Sequence, residues 1–239
     1  MNLDNNITDR LASLSRGVLG AIPIAGPLVA EVVNSLIPNQ RIDRISKFVK
    51  CLDERLASFE KQLLTNVFKD PCFIDLLEDG FWGAARAISD ERIQYIASVV
   101  ANGISEETEK TLEAKKFAQI LAELNDIEVI ILRSYLTHYQ EDQDFYEKHK
   151  DILGPHAAHL GSSEEEVGKA EIYKSYKQNL LKLNLIKPNF KRPKRGELPE
   201  FDDETGMIKA SGYKITYLGR MLLVHIGLAE TPLKAKKPM

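Results

Sequence analysis

The chain of 239 residues, 44% hydrophobic and 28% charged, is long enough for one large or two modest domains and too apolar to be disordered throughout. Its net charge of −3 conceals opposed parts: residues 1–160 carry 17 Lys/Arg against 25 Asp/Glu, and residues 161–239 carry 15 against 10. Such a split points either to docking of the two parts or to a polyanionic partner for the basic one. Two cysteines without CxxC spacing, Cys51 and Cys72, exclude a disulfide framework and fit a reducing cytosol.

Between Arg16 and Glu31 nothing ionises: residues 17–30 form an uncharged run of 14 residues containing Pro23 and Pro27. A bilayer span needs roughly 20 apolar residues, and each proline breaks a helix interior. Asp4 and Asp9 beside Arg10 and Arg16 make a poor leader for secretion. The run is expected to be buried in the folded protein as a helix broken or entered near the prolines. Its apolar members Val18, Leu19, Ile22, Ile24, Leu28 and Val29 are the candidates for contact with a partner or a membrane surface.

Ile42, Ile45, Val49, Leu52, Leu56, Phe59 and Leu63 follow a strict 3–4 spacing. This predicts one continuous helix over 41–64 whose seam packs within the chain or on a second copy. Pro71 opens the next helix, with Phe73, Ile74, Leu76, Leu77, Phe81 and Trp82 as its apolar set. Ser89 reads as an N-cap, followed by Asp90 and Glu91 at the positive helix end and by Ile93, Ile96, Ala97 and Val100 on one face. Asn102-Gly103 ends that helix, and another runs from about Glu106 to Leu124 with Phe117, Ile120, Leu121 and Leu124 inward. No strand signal appears up to this point.

Asp126 then caps a helix carrying Ile127 to Leu136, a polar connector spans 140–144, and a weak helical piece covers 145–153. Ser163 and Glu166 form a capping box for a longer helix to about Leu183. Residues 188–212 are rich in charge, Pro and Gly, as in a loop or β-wing; Tyr213–Thr216 alternates like a strand. A last helix, Leu218–Ile226, stops at Gly227. The fold expected is mainly α: a helical body over 1–124, a winged-helix-like α+β domain with one small β-hairpin over 125–228, and a basic tail over 229–239.

The C-terminal phrase Leu180-Leu181-Lys182-Leu183-Asn184-Leu185-Ile186, the polar excursion after it and Ile215-Thr216-Tyr217-Leu218-Gly219 together resemble a winged helix. The resemblance implies that the long helix can enter a DNA major groove. On a helical wheel Lys174, Lys177, Gln178 and Lys182 share a sector, away from Ile172, Tyr176, Leu180 and Leu183. The excursion carries Lys191, Arg192, Lys194 and Arg195, a cluster suited to phosphate, although Glu197, Glu200, Asp202, Asp203 and Glu204 cancel part of its field.

Other constellations are weaker. His138, His149, His156 and His159 fall within 22 residues, but no HExxH or Cys/His frame accompanies them, and no metal is implied. Arg133 and His138 form Arg-x4-His, the pattern of HEPN ribonucleases; on one helix they would stand about 140° apart. No Gly-rich phosphate loop and no nucleophile elbow occur, so neither a cofactor nor a small-molecule substrate is implied.

The segment ending Ile37-Pro38-Asn39-Gln40-Arg41, the segment Ser89–Ala97 and the ending Thr216-Tyr217-Leu218-Gly219-Arg220 together resemble small helical bacterial proteins of the abortive-infection, or phage-defence, type. The resemblance implies a cytoplasmic or membrane-associated protein and transfers no catalytic residue. The leading expectation is a non-enzymatic binding or effector protein whose N-terminal run contacts a protein partner, a second copy or a membrane. The next is a winged-helix regulator that binds DNA. The most distant is a HEPN-like ribonuclease using Arg133 and His138.

Overall fold

A computed structural model describes residues 41–137, 140–154, 159, 161–191, 193, 196, 198–202 and 206–230. Among them the chain is mainly helical, with one small antiparallel two-stranded sheet. Two compact units divide it. The first takes the described residues up to Glu123 together with those from Val224, and the second is Leu124–Leu223.

The first unit holds α1 (Ile42–Leu56), α2 (Lys61–Val67), α3 (Pro71–Arg86), α4 (Asp90–Asn102) and α5 (Thr108–Ala122). Helix α4 is its centre and packs on α1, α3 and α5. Ser89 caps it, its hydroxyl accepting from the Arg92 N–H at 3.1 Å. Ile93 and every residue from Ile96 to Ala101 are buried. Ser98 tolerates burial because Arg55 Nε donates to its hydroxyl at 3.1 Å. Asp70 caps α3 by accepting from the Cys72 N–H, and Pro71 follows at the first helical position, where a missing N–H is harmless. The rings of Phe48 (α1) and Phe81 (α3) meet edge to face, 5.1 Å between centroids.

The seam predicted for 41–64 holds only to Leu56. Ile45, Val49, Leu52 and Leu56 are buried, with Phe48 beside them. The helix then stops: Phe59 N–H donates back to Leu56 O, the Ser58 hydroxyl donates to Arg55 O, and Glu60 is extended. Serine competing for backbone carbonyls is a recognised way to end a helix. After the turn the inward positions shift by one, so Leu64, Val67 and Phe68 are buried while Phe59 and Leu63 are only half-buried.

The second unit contains α6 (Asp126–Ser134), α7 (Gln143–Lys148), α8 (Lys150–Leu153), α9 (Glu164–Lys182), β1 (Ile186–Phe190), β2 (Ala210–Ile215) and most of α10 (Tyr217–His225). The cap of α6 is Asn125 rather than Asp126. Asn125 Oδ1 accepts from the Glu128 N–H at 2.9 Å, and the Glu128 carboxylate accepts from the Asn125 N–H at 2.8 Å. This reciprocal pair needs a three-residue offset, which Glu128 offers to Asn125. The other oxygen of the buried Glu128 accepts from Asn179 Nδ2 at 2.9 Å and so ties α9 to α6. The helical piece expected over 145–153 is two short helices that meet at His149.

Helix α9 has the expected Ser163–Glu166 capping box. Of the four positions that the wheel sets away from the lysine sector, only Leu180 is buried; Tyr176 and Leu183 are half-buried and Ile172 is 55% exposed. Full burial comes only near the C-terminal end of α9, where Asn179 meets Glu128; Tyr173 and Lys177 are half-buried, and residues 164–169 are exposed.

Strands β1 and β2 pair in the register Ile186↔Ile215, Lys187↔Lys214, Pro188↔Tyr213, Asn189↔Gly212, with a shift before Phe190↔Ala210. Further out the connection pairs with itself, through the bridge Phe201↔Ile208 flanked by hydrogen bonds between Asp202 and Met207 and between Lys209 and Glu200. Thr216 locks the base of the hairpin. Its hydroxyl donates to Asn184 O at 2.7 Å and accepts from the Gly219 N–H at 3.0 Å, starting α10. A Cβ on Gly219 would run into Leu185 O, which gives the Thr-x-x-Gly spacing a steric reason. Gly227, at φ +77°, takes the left-handed conformation just after α10.

Candidate nucleic-acid interface

Cations in the second unit differ in how they are held. Lys174 makes a loose ion pair with Glu171 at 3.8 Å. Lys177 has its ammonium 4.6 Å from the centroid of the Tyr173 ring, and burial pulls its pKa below the usual lysine value. Gln178 and Lys182 are exposed, and Lys182 sits in the last turn of α9, where a cation suits the helix dipole.

Beside Lys177 lies a cluster of phenols. Tyr135, just after α6, has its pKa pushed up to about 12, first by burial and then by the phenols of Tyr173 on α9 and Tyr213 on β2. Burial raises Tyr173 as well. The phenols that act on Tyr135 therefore come from both α9 and the hairpin.

The hairpin itself carries a cationic groove. Lys187, Pro188, Asn189, Phe190, Lys191, Pro193, Pro199, Ile208 and Lys214 line it, and no carboxylate is among the described lining residues. Lys187 stands directly across from Lys214 in the sheet, both side chains exposed. Like charges in that position repel. No carboxylate among the described residues pairs with Lys187, Lys191 or Lys214. Three ammonium groups around one depression, with no carboxylate partner among the described residues, form a surface that an anion would stabilise.

Of the basic residues singled out in the connection, Lys191 lines this groove, while Arg192, Lys194 and Arg195 lie outside the described residues. Sequence reasoning missed Lys187 and Lys214. The alternation of residues 213–216 revealed one strand, but the partner strand was hidden in the sequence Ile186-Lys187-Pro188, which reads as the start of a loop. Only the register brings the two lysines together.

Arg133 has a local role. Its Nη2 pairs with Asp142 Oδ2 at 3.0 Å, and its guanidinium stacks 4.2 Å over the Phe145 ring. The Tyr146 hydroxyl lies 2.8 Å from the carbonyls of both Ser134 and Thr137 and closes the same corner. Helix α6 ends at Ser134, and His138 lies outside the described residues. His149 packs on Phe145 at 4.9 Å, His159 is exposed, and His156 is outside the described residues. Among the described residues no group of three His, Cys, Asp or Glu is placed to hold a metal ion. Val18, Leu19, Ile22, Ile24, Leu28 and Val29, and the tail from Thr231, also lie outside them. No helix among the described residues is long and apolar enough to cross a membrane. In comparisons with protein-family models, curated proteins and solved structures, the chain matches none.

Proposed function

We propose that the second unit is a winged-helix module that binds nucleic acid, with the β1–β2 hairpin as its wing and the lysine groove as its phosphate contact. The order of elements supports this reading: α6, the pair α7–α8 and the long α9 precede an antiparallel hairpin, as helices precede the wing in that fold. The observation that carries the function is the juxtaposition of Lys187, Lys214 and Lys191 with no carboxylate among the described lining residues. Repulsion between facing lysines disfavours the empty hairpin and is relieved when phosphates sit between them. Polyanion binding therefore gives this arrangement a use that a purely structural hairpin lacks.

The reading is of a binding protein, and it assigns no catalytic step. Its test is the affinity of the full chain for a labelled DNA duplex and a labelled oligothymidine at stepped salt concentrations. The logarithm of affinity should fall linearly with the logarithm of salt concentration. Lys187→Ala with Lys214→Ala should flatten the slope on duplex DNA by about 1.8, since each phosphate neutralised by a lysine adds roughly 0.9 to it. Absence of salt-dependent binding to either probe at low ionic strength ends the reading.

A further inference from the structure

We propose, building on the nucleic-acid reading above, that the hairpin groove takes single-stranded nucleic acid and stacks one base on Phe190. Phe190 is 49% exposed and lines the groove together with Lys187, Lys191 and Lys214. Its cross-strand neighbour follows from a shift in the register of the sheet. The register shifts between Asn189 and Phe190, so Phe190 pairs with Ala210, and the Ser211 hydroxyl donates to Asn189 O at 2.9 Å. The extra residue of that shift, Ser211, lies on β2. The cross-strand neighbour Ala210 is too small to cover a phenyl ring, which leaves a face of the ring open. Pro188, Pro193 and Pro199 wall the groove with residues of fixed φ, so the platform needs little ordering on binding.

The chemistry of the occupant follows from this mixture. A duplex offers a protein surface its phosphates and groove edges while its base faces are stacked inside. An exposed phenyl ring among lysines gains nothing from a phosphate. An unpaired strand presents both partners at once: a base face for Phe190 and flanking phosphates for the three lysines. Base–aromatic stacking in such grooves is sequence-tolerant because every base has a π-face.

The test compares oligothymidine with a DNA duplex as probes of the full chain, by fluorescence anisotropy at fixed low salt. Phe190→Ala should weaken oligothymidine binding by about 5- to 100-fold, the range for loss of one stacked base. Duplex binding should stay within about twofold of wild type, and Phe190→Trp should restore the single-strand affinity. Lys187→Ala with Lys214→Ala should weaken both probes. Phe190 is half-exposed, so the variants should fold, and coincident thermal melts verify it. If Phe190→Ala leaves oligothymidine binding unchanged, or weakens both probes equally, the single-strand proposal is overturned while the lysine result still supports nucleic-acid binding. If wild type binds neither probe, both readings fall. If Phe190→Ala instead converts a dimer into a monomer without touching single-strand affinity, the groove is a contact between copies and the proposal is overturned.

Discussion

Helix α4 buries every residue from Ile96 to Ala101, whereas the 19 residues of α9 bury one side chain, Leu180. Both helices are well capped by serine, so capping does not separate them. Tertiary burial does. A fully buried aliphatic side chain contributes about 1.5–3 kcal/mol, while an exposed ion pair contributes at most about 1. Helix α4 rests on the first kind of term. The open turns of α9 rest on the capping box and on polar pairs such as Lys169–Glu165 at 2.6 Å. The first unit packs most of its apolar residues, with Ile88 and Leu112 the exceptions. The second displays Ile172, Phe190, Phe201 and Met207 to solvent, and Phe190 shares its groove with Lys187, Lys191 and Lys214, which no carboxylate among the described residues pairs with. That contrast separates a unit organised around a core from one that leaves much of its longest helix and its hairpin open to solvent.

The strongest way to break the comparison is Leu52→Ala. Leu52 is fully buried at the α1 seam, where α1 packs on α4 and α3. Truncation should cost on the order of 2–5 kcal/mol in denaturant unfolding, the range for a cavity in a well-packed core. A loss below about 1 kcal/mol would mean that the first unit is loosely packed and that burial does not distinguish the two helices.

The contrast also governs how much was legible in the sequence. In the first unit periodicity located Ile45, Val49, Leu52 and Leu56 and the buried face of α4, because helix packing imprints a repeat on the sequence, while residue type located the Ser89 cap. It failed at residues 57–60, where Phe59 and Leu63 keep the 3–4 spacing across a break made by local hydrogen bonds of Ser58 and Phe59. In the second unit the wheel sets Ile172 away from the lysine sector together with Leu180, yet only Leu180 is buried, since helical spacing cannot tell how far along a helix its partner extends. The Lys187–Lys214 pair was illegible for another reason. It depends on the register of two strands separated by a 19-residue connection, a non-local fact that neither strand's sequence contains. Arg133 was noticed for its spacing from His138, but its observed partners, Asp142 and Phe145, stand at offsets no motif records.

A second test examines the part of the second unit that does bury its side chains. The Tyr135 phenol is held near 12, against 10.0 for a free phenol, by burial and by Tyr173 and Tyr213. Its folded-state pKa is raised, so its contribution to stability is complete below pH 10 and is lost as the pH climbs through about 12. Ultraviolet titration should show one phenol ionising about two pH units late, and Tyr135→Phe should remove that step. A Tyr135 that titrates near 10 would place it in solvent and open the junction of α6, α9 and β2.

The smallest effect is expected at Ile172. On periodicity alone, Ile172→Glu would put a carboxylate into a core and unfold the unit. In the structure the side chain is 55% exposed, and Val167, five residues earlier, is exposed too. Glutamate propagates helices at least as well as isoleucine, and a surface change away from packing and caps usually stays within about 0.5 kcal/mol. Denaturant midpoints of wild type and variant should therefore coincide. The measurement should be made across protein concentration, because an exposed isoleucine on an uncovered helix is also where a second copy would bind. A loss of stability that grows with concentration would show that this face is covered in an assembly. A loss independent of concentration would show that it is packed within the chain. Either result would end the contrast between α4 and α9, and coincident midpoints would extend it to the first three turns of α9.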